Sequence, residues 1–477
     1  MLRFIQLIWV RYIDYVIYSL KSNNLVIEEA LIIIHKKKVL FDWLGVTGKA
    51  FRRSEKMILY DETSKYDNIS VDEDWNEGKD REKLMHTIHA YPAKFPAFIA
   101  SKAFEYAKDE GVEIKKVADV FCGCGTVALE AKLHEFDFWG CDINPVATLI
   151  AKAKSNNYSK IKLNDLYNLV NEAYYNINLS EDLYLKANDR LKYWYTEKSY
   201  CDLFKLLSAI NENVSMDIYL EAFQCIFSSI LKSTSRWLTK SIKPQIDPDK
   251  KEYDVKKAFD SQYKKFLRGV VEMEEKNTST VICCDNFLAI EDVPNVDLII
   301  SSPPYVTSYE YADLHQLSSL WLEFTDDYRD LRKGSIGSIY NSDDFLLDLD
   351  NLNKTGKEIV ERLIKEGKIN SKVKSVARYY ADMQNVVEKC TDMLNKDGMI
   401  FLVVGDTEYK GVHIKNSEHL IECLVENGFS DIKLGKRTIS KGLCVPYRDA
   451  AGKFSKDKTK RKVYHEEFII SGRMRYA

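Results

Sequence analysis

Residues 296–305 constrain the fold of this chain more than any other stretch, because an apolar run ends there in two consecutive prolines. The run at 298–300 is typical of a strand buried on both faces, as in a parallel sheet. Pro303 and Pro304 lack backbone N–H groups, so the ladder must end at the carboxyl end of the strand. Ligands bind at that edge of open α/β sheets. Two interpretations are open: a proline turn that caps a core strand, or a loop whose carbonyl groups and Tyr305 ring contact a ligand.

A second strand and loop lie earlier in the chain, where an apolar segment leads into two glycines. Residues 116–120 are the predicted strand, Gly123 and Gly125 follow it, and a helix is predicted over 127–133. Glycine lets the backbone approach a ligand closely, and the start of a helix offers free N–H groups. The next predicted strand, 136–141, ends at Asp142, which is where a Rossmann-like half holds ribose hydroxyls. A dinucleotide site is the alternative, although the full Gly-x-Gly-x-x-Gly pattern is absent.

Four predicted strand ends therefore carry glycines or polar groups in chain order. The third strand, 279–284, ends at Asp285, and the fourth ends at Ser302. Because the carboxyl ends of parallel strands meet at one edge of a sheet, we expect these groups to lie close together. The pattern predicts an α/β fold with a Rossmann-like, mostly parallel sheet and helices on both faces.

The order of these features resembles the S-adenosylmethionine-dependent DNA amino-methyltransferases, which modify cytosine N4 or adenine N6. Ser-Pro-Pro-Tyr at 302–305 is similar to the catalytic motif of that family. Residues 89–96 are similar to its segment before the glycine loop, which helps to hold the methionine end of the cofactor. The resemblance covers residues 86–160 and 279–325 well and the C-terminal third loosely. It implies a class I methyltransferase sheet, with S-adenosylmethionine as the cofactor and DNA as the partner.

The resemblance also implies two sets of site residues. The catalytic set is Ser302, Pro303, Pro304 and Tyr305. The cofactor-binding set is Tyr91, Lys94, Phe95, Asp119, Phe121, Gly123, Gly125, Thr126, Asp142 and Asp285. In this set Asp142 is expected to bind the ribose hydroxyls, Asp285 to accept from the adenine amine, and Asp119 to position the loop or the cofactor ammonium. No metal site is predicted, because no cysteine or histidine array has zinc spacing.

The expected reaction is direct methyl transfer to an exocyclic base amine. Hydrogen bonds to the Ser302 hydroxyl and the Pro303 carbonyl would turn the amine toward tetrahedral geometry, and Tyr305 would stack on the extruded base. Carbon-5 methylation needs a cysteine nucleophile, which in that family lies in a Pro-Cys pair, and none of the nine prolines precedes a cysteine.

Serine before Pro-Pro-Tyr favours cytosine N4 over adenine N6, although many cytosine-N4 enzymes carry the two motifs in the reverse order. The alternatives are an adenine-N6 enzyme, an RNA base-amine methyltransferase, and a non-enzymatic nucleic-acid-binding subunit with this fold.

The catalytic domain is predicted at 81–154 and 279–477, after an unassigned N-terminal extension at 1–80. A helical insertion at 155–278 is the candidate DNA-recognition region, and a second insertion is expected at 325–376. Two basic stretches could contact phosphates: the end of the first insertion, where Trp237 and Tyr263 interleave, and the C-terminal segment from Lys436 and Arg437 to Lys462. A solvated charged surface is the alternative for both.

Composition fits a globular protein, with 45% hydrophobic and 30% charged residues. A net charge of −3 means that any nucleic-acid surface must be a local basic patch. The ten cysteines favour reduced thiols in a cytoplasmic protein. Residues 2–20 are apolar but charged at three positions, so a packed amphipathic helix is preferred to a membrane-surface helix. No membrane partner is expected; a cognate restriction endonuclease of a restriction-modification system is a candidate partner, and the oligomeric state is open.

Overall fold

The computed structural model describes residues 57–60, 69–76, 82–92, 94–306, 311–338, 349–367, 369–439, 447–448, 457, 461–462 and 466–474. The chain divides after Met57, and residues 58–477 form one compact unit. The predictions for residues 2–20 and for most of the C-terminal basic segment lie outside the described residues.

The described strands are β1 (Ile58–Leu59), β2 (Lys116–Asp119), β3 (Asp137–Asp142), β4 (Thr280–Cys284), β5 (Val296–Ser301), β6 (Leu394–Val404), β7 (Thr407–Tyr409), β8 (Val412–Ile414), β9 (Phe429–Thr438), β10 (Tyr447–Arg448), β11 (Arg461–Lys462) and β12 (Glu466–Met474).

The described helices are α1 (Ala97–Asp109), α2 (Thr126–Leu133), α3 (Pro145–Ser155), α4 (Lys160–Asn176), α5 (Asp189–Trp194), α6 (Glu197–Asn213), α7 (Asp217–Thr234), α8 (Val255–Glu272), α9 (Tyr311–Leu314), α10 (Gln316–Trp321), α11 (Lys354–Lys365), α12 (Ser371–Met393) and α13 (Asn416–Glu426).

An eight-stranded sheet runs in the order β1-β9-β12-β6-β5-β2-β3-β4. Neighbours from β6 through β4 pair in parallel, and β12 lies antiparallel between β6 and β9. Two-residue β1 extends the β9 edge, also antiparallel. This topology confirms the predicted Rossmann-like, mostly parallel sheet. Because the parallel strands point the same way, β2, β3, β4, β5 and β6 all end at one edge.

Helices cover both faces of the sheet. On one face, Ile299, Ile400 and Ile470 share a buried core with residues of α11, α12 and α13. On the other face, the ring of Tyr106 in α1 contacts Phe401 at 5.4 Å between centroids. Phe401 points away from its neighbour Ile400 because side chains alternate along a strand.

Local sequence sets where the helices near the site begin. Asn144 accepts a hydrogen bond from Val146 N at 3.0 Å and Pro145 occupies the first helical position, so α3 starts immediately after β3. Asn286 caps the turn after β4 in the same manner, through Leu288 N at 3.0 Å. Both caps lie at the edge where the parallel strands end.

The first predicted insertion is helical, since α4 to α8 lie between β3 and β4. These helices share one buried core with α2, α3 and α10, including Leu129, Ile150, Trp194, Phe223 and Phe259. The insertion is therefore continuous with the helices beside the sheet. Trp237 and Tyr263 belong to this core at 2% exposure each, so they do not form the surface aromatic array that the sequence suggested.

The second predicted insertion contains α11 and the start of α12. Val360, Leu363 and Val373 are buried in the core that lies against the sheet. No helix in the described part of the chain is long and apolar enough to cross a membrane.

Candidate active site

The ends of β2 and β5 are joined around the buried carboxyl group of Asp119. Ser301 Oγ donates to Asp119 Oδ1 at 2.6 Å, and Phe121 N donates to the same oxygen at 3.1 Å. Phe121 N also lies 3.2 Å from Ser301 Oγ. The glycine loop and the Pro-Pro loop, which continue from Phe121 and Ser301, therefore leave the sheet side by side.

Burial raises the pKa of Asp119 to about 7, although the hydrogen bonds from Ser301 and Phe121 favour the ionised form. The side chain is only 4% exposed. At neutral pH the carboxyl group is thus close to its midpoint, and small changes in its surroundings change its charge.

Both glycines of the loop have positive φ, +47° at Gly123 and +72° at Gly125. A Cβ atom at Gly125 would stand 2.6 Å from Cα and Cβ of Ala151 in α3. Gly125 is thus needed for two reasons: its backbone conformation and its close approach to α3. At Gly123 an added Cβ would meet nothing closer than the Tyr91 ring at 3.8 Å, so the backbone there is open toward Tyr91.

Asp142 holds the glycine loop to the end of β3. Its Oδ2 accepts from Gly123 N at 2.8 Å and its Oδ1 from Asn144 N at 2.8 Å. Burial raises the pKa of Asp142 to about 6, while these two N–H groups lower it. A carboxylate oxygen accepts more than one hydrogen bond, so both oxygens keep acceptor capacity for a hydroxyl group.

Asp285 follows β4 and is exposed. Its backbone N donates to the carbonyl of Asp142 at 3.2 Å, and its Oδ1 accepts from Asn286 N at 2.7 Å. The strand ends thus bring Asp142 and Asp285 together, as the parallel order predicted.

Two buried polar atoms near the glycine loop have no hydrogen-bond partner among the described residues. Thr126 Oγ1 lies at the first position of α2, directly after Gly125. His315 Nε2 belongs to the ring that stacks on Tyr91, at 4.9 Å between centroids and 21° between planes. The candidate site thus combines acceptor oxygens on Asp142 and Asp285, a glycine loop at the start of a helix, and polar atoms of Thr126 and His315 without a described partner. This combination fits a polar ligand of nucleoside and amino-acid character.

Residues of the segment before the loop are placed differently from one another. Tyr91 lies over the glycine loop, with its ring 3.8 Å from the position of a Cβ atom at Gly123. Lys94 Nζ instead bonds Glu82 Oε2 at 2.6 Å and lies 3.5 Å from the His86 carbonyl. Phe95 is half-buried. Tyr91 is thus the residue of this segment that the described contacts place beside Gly123.

The Pro-Pro loop is fixed on its other side by β6. Ser302 Oγ donates to the carbonyl of Val403 at 3.0 Å. Pro303 is buried and Pro304 half-buried. Because its only hydrogen is given to Val403, the Ser302 hydroxyl has only lone pairs left to offer to a ligand.

Tyr305 is held at its hydroxyl end. Its O–H donates to Glu467 Oε1 at 2.5 Å, and Glu467 Oε2 accepts from Arg437 Nη1 at 2.7 Å. A Cβ added to Gly405 would lie 3.4 Å from Tyr305 Cζ, so the ring packs beside the end of β6. Burial and the nearby Glu467 raise the pKa of Tyr305 well above its ordinary value.

Arg437 and Lys436 correct the prediction of a phosphate-binding segment. Both lie on β9 inside the sheet, and Arg437 is only 2% exposed. Lys436 Nζ pairs with Glu466 Oε2 at 3.0 Å. These two cations are engaged by acids of the neighbouring strand. For the rest of the basic C-terminal segment, the phosphate-binding role stays a prediction.

Sequence reasoning missed three residues of the site: Ser301, Glu467 and His315 as a partner of Tyr91. Ser301 directly precedes the Ser-Pro-Pro-Tyr motif, but adjacent serines look alike in sequence. Glu467 lies 162 residues from Tyr305, and no local pattern links them. Among the described residues, no cluster of three or more His, Cys, Asp or Glu side chains could hold a metal ion.

No family model matches the chain. It is 24% identical to the Type II methyltransferase M.MvaI of Kocuria varians over 363 residues, 70% of this chain and 79% of that protein. It is 29% identical to the Type II methyltransferase M.MjaII of Methanocaldococcus jannaschii over 154 residues, 31% of this chain and 28% of that protein.

Among solved structures, the rRNA methyltransferase aviRa from Streptomyces viridochromogenes matches 81% of this chain and 88% of its own length. Its sequence identity is 10% and its TM-score 0.26, too low to support a conclusion about this chain. The two sequence relatives are both Type II methyltransferases, and this supports the resemblance to methyltransferases that the motifs predicted.

Proposed function

We propose that this chain is an S-adenosylmethionine-dependent DNA methyltransferase that transfers a methyl group to an exocyclic base amine, with cytosine N4 as the acceptor. The observation that carries the proposal is the hydrogen bond that the Ser302 hydroxyl donates to the Val403 carbonyl. This hydroxyl lies beside a glycine loop that is typical of cofactor sites. An amine is a hydrogen-bond donor, and Ser302 can act toward it only as an acceptor.

The donor side of the site fits S-adenosylmethionine through groups of matched polarity. Asp142 and Asp285 are acceptors at adjacent strand ends, suited to ribose hydroxyls and an adenine amine. The start of α2 gives backbone N–H groups, and the open side of Gly123 leaves space for the methionine part. When bound, this cofactor supplies the electrophilic methyl group.

On the acceptor side, the chain has to orient an amine whose lone pair is delocalised into the base. The Ser302 hydroxyl and the Pro303 carbonyl accept its two N–H groups and stabilise the positive charge that develops on nitrogen. Tyr305 offers a ring for stacking on a base extruded from the duplex. Much of the remaining barrier reduction comes from holding the amine in line with the methyl group.

The choice of cytosine N4 and the proposed partner both rest on similarity to other methyltransferases. Serine in the Ser-Pro-Pro-Tyr motif resembles cytosine-N4 enzymes, which is why we propose N4 over adenine N6. Both relatives are named Type II methyltransferases, which supports a restriction endonuclease of the same recognition sequence as a partner.

The direct test is to incubate the purified chain and tritiated S-adenosylmethionine with duplex DNA or with total RNA. We expect label in DNA, and digestion to nucleosides should give N4-methylcytosine. Label in RNA alone would refute the proposal of a DNA enzyme. N6-methyladenine would refute only the choice of base.

Ser302→Ala is the corresponding variant. Removal of one hydrogen-bonding group from the reacting amine should lower kcat roughly 100-fold, as for other groups that stabilise transition-state charge. The affinity for S-adenosylmethionine, measured by calorimetry, should stay within about twofold, because Ser302 faces the acceptor. Ser229→Ala is the control, since that hydroxyl donates at 2.7 Å only to the Ile226 carbonyl within α7. An equal kcat for Ser302→Ala and wild type would show that the Ser302 hydroxyl takes no part in the reaction.

A further inference from the structure

The Tyr305 ring is attached at its far end to the antiparallel part of the sheet. Glu467, which accepts its hydroxyl hydrogen at 2.5 Å, lies on β12. Tyr305 itself follows β5, on the other side of β6 in the sheet order. One hydrogen bond therefore reaches from the Pro-Pro loop over the end of β6 to the next strand.

Arg437 fixes the position of Glu467. The two residues face each other in the register of β12 and β9, and the guanidinium Nη1 donates to Glu467 Oε2 at 2.7 Å. Arg437 is 2% exposed, and its guanidinium carbon lies 5.6 Å from the centre of the Phe98 ring in α1. The carboxylate is thus bound by Arg437 on one oxygen and by Tyr305 on the other.

We propose that Glu467 and Arg437 are positioning residues that set the plane of the Tyr305 ring for stacking on the target base. This inference rests on the proposed function. A tyrosine after two prolines still rotates about χ1 and χ2, because the prolines fix only their own backbone. A hydrogen bond to a charged acceptor is stronger than one to a neutral acceptor, so Glu467 limits that rotation. Arg437 in turn limits the rotation of Glu467.

The orientation of the Tyr305 ring should affect the rate of methyl transfer more than the stability of the fold. A buried ion pair is commonly replaced by apolar residues of similar size without loss of stability. A small misplacement of a substrate-contacting group, in contrast, lowers the rate by up to about 100-fold. Replacing both members of the pair should therefore separate the two effects.

The test compares three variants in single-turnover methyl transfer to DNA: Tyr305→Phe, the double variant Arg437→Met/Glu467→Met, and the triple variant that combines them. Tyr305→Phe keeps the ring and removes the anchored hydroxyl. We expect the first two variants to be slower than wild type by similar factors, roughly 10- to 100-fold. The triple variant should be no slower than either, because all three disrupt the same hydrogen bond.

The matched control is Lys436→Met/Glu466→Met. It removes the neighbouring ion pair on the same two strands, which lies on the opposite face because side chains alternate. This control should transfer methyl groups within about twofold of wild type. S-adenosylmethionine affinity, measured by calorimetry, should be unchanged in every variant. A merely structural role would instead weaken cofactor binding together with the rate.

Two outcomes would overturn the inference while the proposed function stands: a wild-type rate in Tyr305→Phe, or multiplied losses in the triple variant. Tyr305→Phe leaves the ion pair intact, so it decides the question even if the double variant does not fold. Failure of the proposed function is recognised separately, because the wild-type chain would then transfer no methyl group to DNA.

Discussion

Ser301 and Ser302 are adjacent in sequence and make contacts on opposite sides of β5. Ser301 donates to Asp119 at the end of β2, and Ser302 donates to the carbonyl of Val403 in β6. Two hydroxyl groups thus connect the start of the Pro-Pro loop to both neighbours of β5.

Asp119 gives a prediction about pH. Its pKa is raised from 3.8 to about 7, so between these values the unfolded chain binds fewer protons than the folded chain. The free energy of unfolding therefore falls as pH rises through this window; the stabilisation is complete below about pH 4 and lost above about pH 7. Asp119→Asn keeps an oxygen for Ser301 and Phe121 but cannot ionise. The free energy of unfolding of Asp119→Asn minus that of wild type should therefore increase by roughly 4 kcal/mol between pH 4 and pH 8.

Urea unfolding of both proteins at several pH values measures that difference. A constant difference between Asp119→Asn and wild type across the range would mean that Asp119 ionises in the folded chain as it does in the unfolded chain.

The sequence predicted which residues lie together where the parallel strands end, because strand ends are visible as apolar runs that stop. Gly123, Asp142 and Asp285 are of this kind. It did not predict partners from distant parts of the chain. Glu467 reaches Tyr305 only because β12 inserts beside β6, and Arg437 appeared as a free cation because sequence shows charge and not burial.

At the scale of elements, the glycine loop and α3 are built against each other. Asp142 ends β3, binds the loop through Gly123 N, and caps the turn into α3 through Asn144 N. Gly125 then packs on Ala151 of the same helix. One strand end therefore positions both the loop and the helix behind it.

Gly125→Ala tests this packing. The new methyl group would be 2.6 Å from Ala151 and the backbone would keep φ near +72°, so both crowding and strain are expected. Together they should lower the free energy of unfolding by roughly 2–5 kcal/mol. Gly111→Ala is the matched control, because φ is +84° and nothing lies within 4 Å. It should cost only the strain, about 1–2 kcal/mol. If thermal or urea unfolding gave the same loss of stability for both variants, α3 would be able to move away from the new methyl group at little cost.

Element prediction succeeded where the apolar pattern was long and failed at boundaries. The apolar pattern of the sequence predicts a helix over 379–394 and a strand over 399–404. In the structure, helix α12 already begins at Ser371 and β6 at Leu394. Hydrophobic patterning marks the buried middle of an element, whereas its ends depend on caps and on pairing with neighbours. Asn370, which accepts from Lys372 N and Val373 N, is the cap that sets the start of α12.

At the scale of the whole molecule, the helical insertion and the sheet are parts of one body. Helices α4 to α8 bury their apolar residues together with those of α2, α3 and α10. Gln316 in α10 accepts hydrogen bonds from Arg190 Nε at 2.7 Å and Trp194 Nε1 at 2.9 Å, both in α5. The segment after the Pro-Pro loop is thereby joined to the insertion by polar contacts as well.

We predict that the insertion and the parallel strands unfold in one step. Hydrogen exchange measured by mass spectrometry, under conditions where exchange reports opening free energy, should give similar values for peptides of α7 and α8 and of β2 and β5. The insertion shares its core with α2 and α3, and these two helices contact β2, β3 and β4, so opening of the insertion would expose helices that pack on the sheet. Exchange of α7 and α8 at a clearly lower free energy would show that the insertion is an independent unit.

The hydrogen bond from Ser302 to the Val403 carbonyl also has a consequence for which bases the proposed enzyme accepts. Loss of the amine from cytosine leaves a ring with a keto oxygen at the same position, and that oxygen has no hydrogen to donate. Lone pairs of Ser302 would then face lone pairs of the base, since pairing with β6 keeps the serine from turning its hydrogen outward. Under the proposed function, a deaminated site would lack the amine that receives the methyl group and would also lose its hydrogen bond to Ser302, so the chain would leave such damage unmethylated.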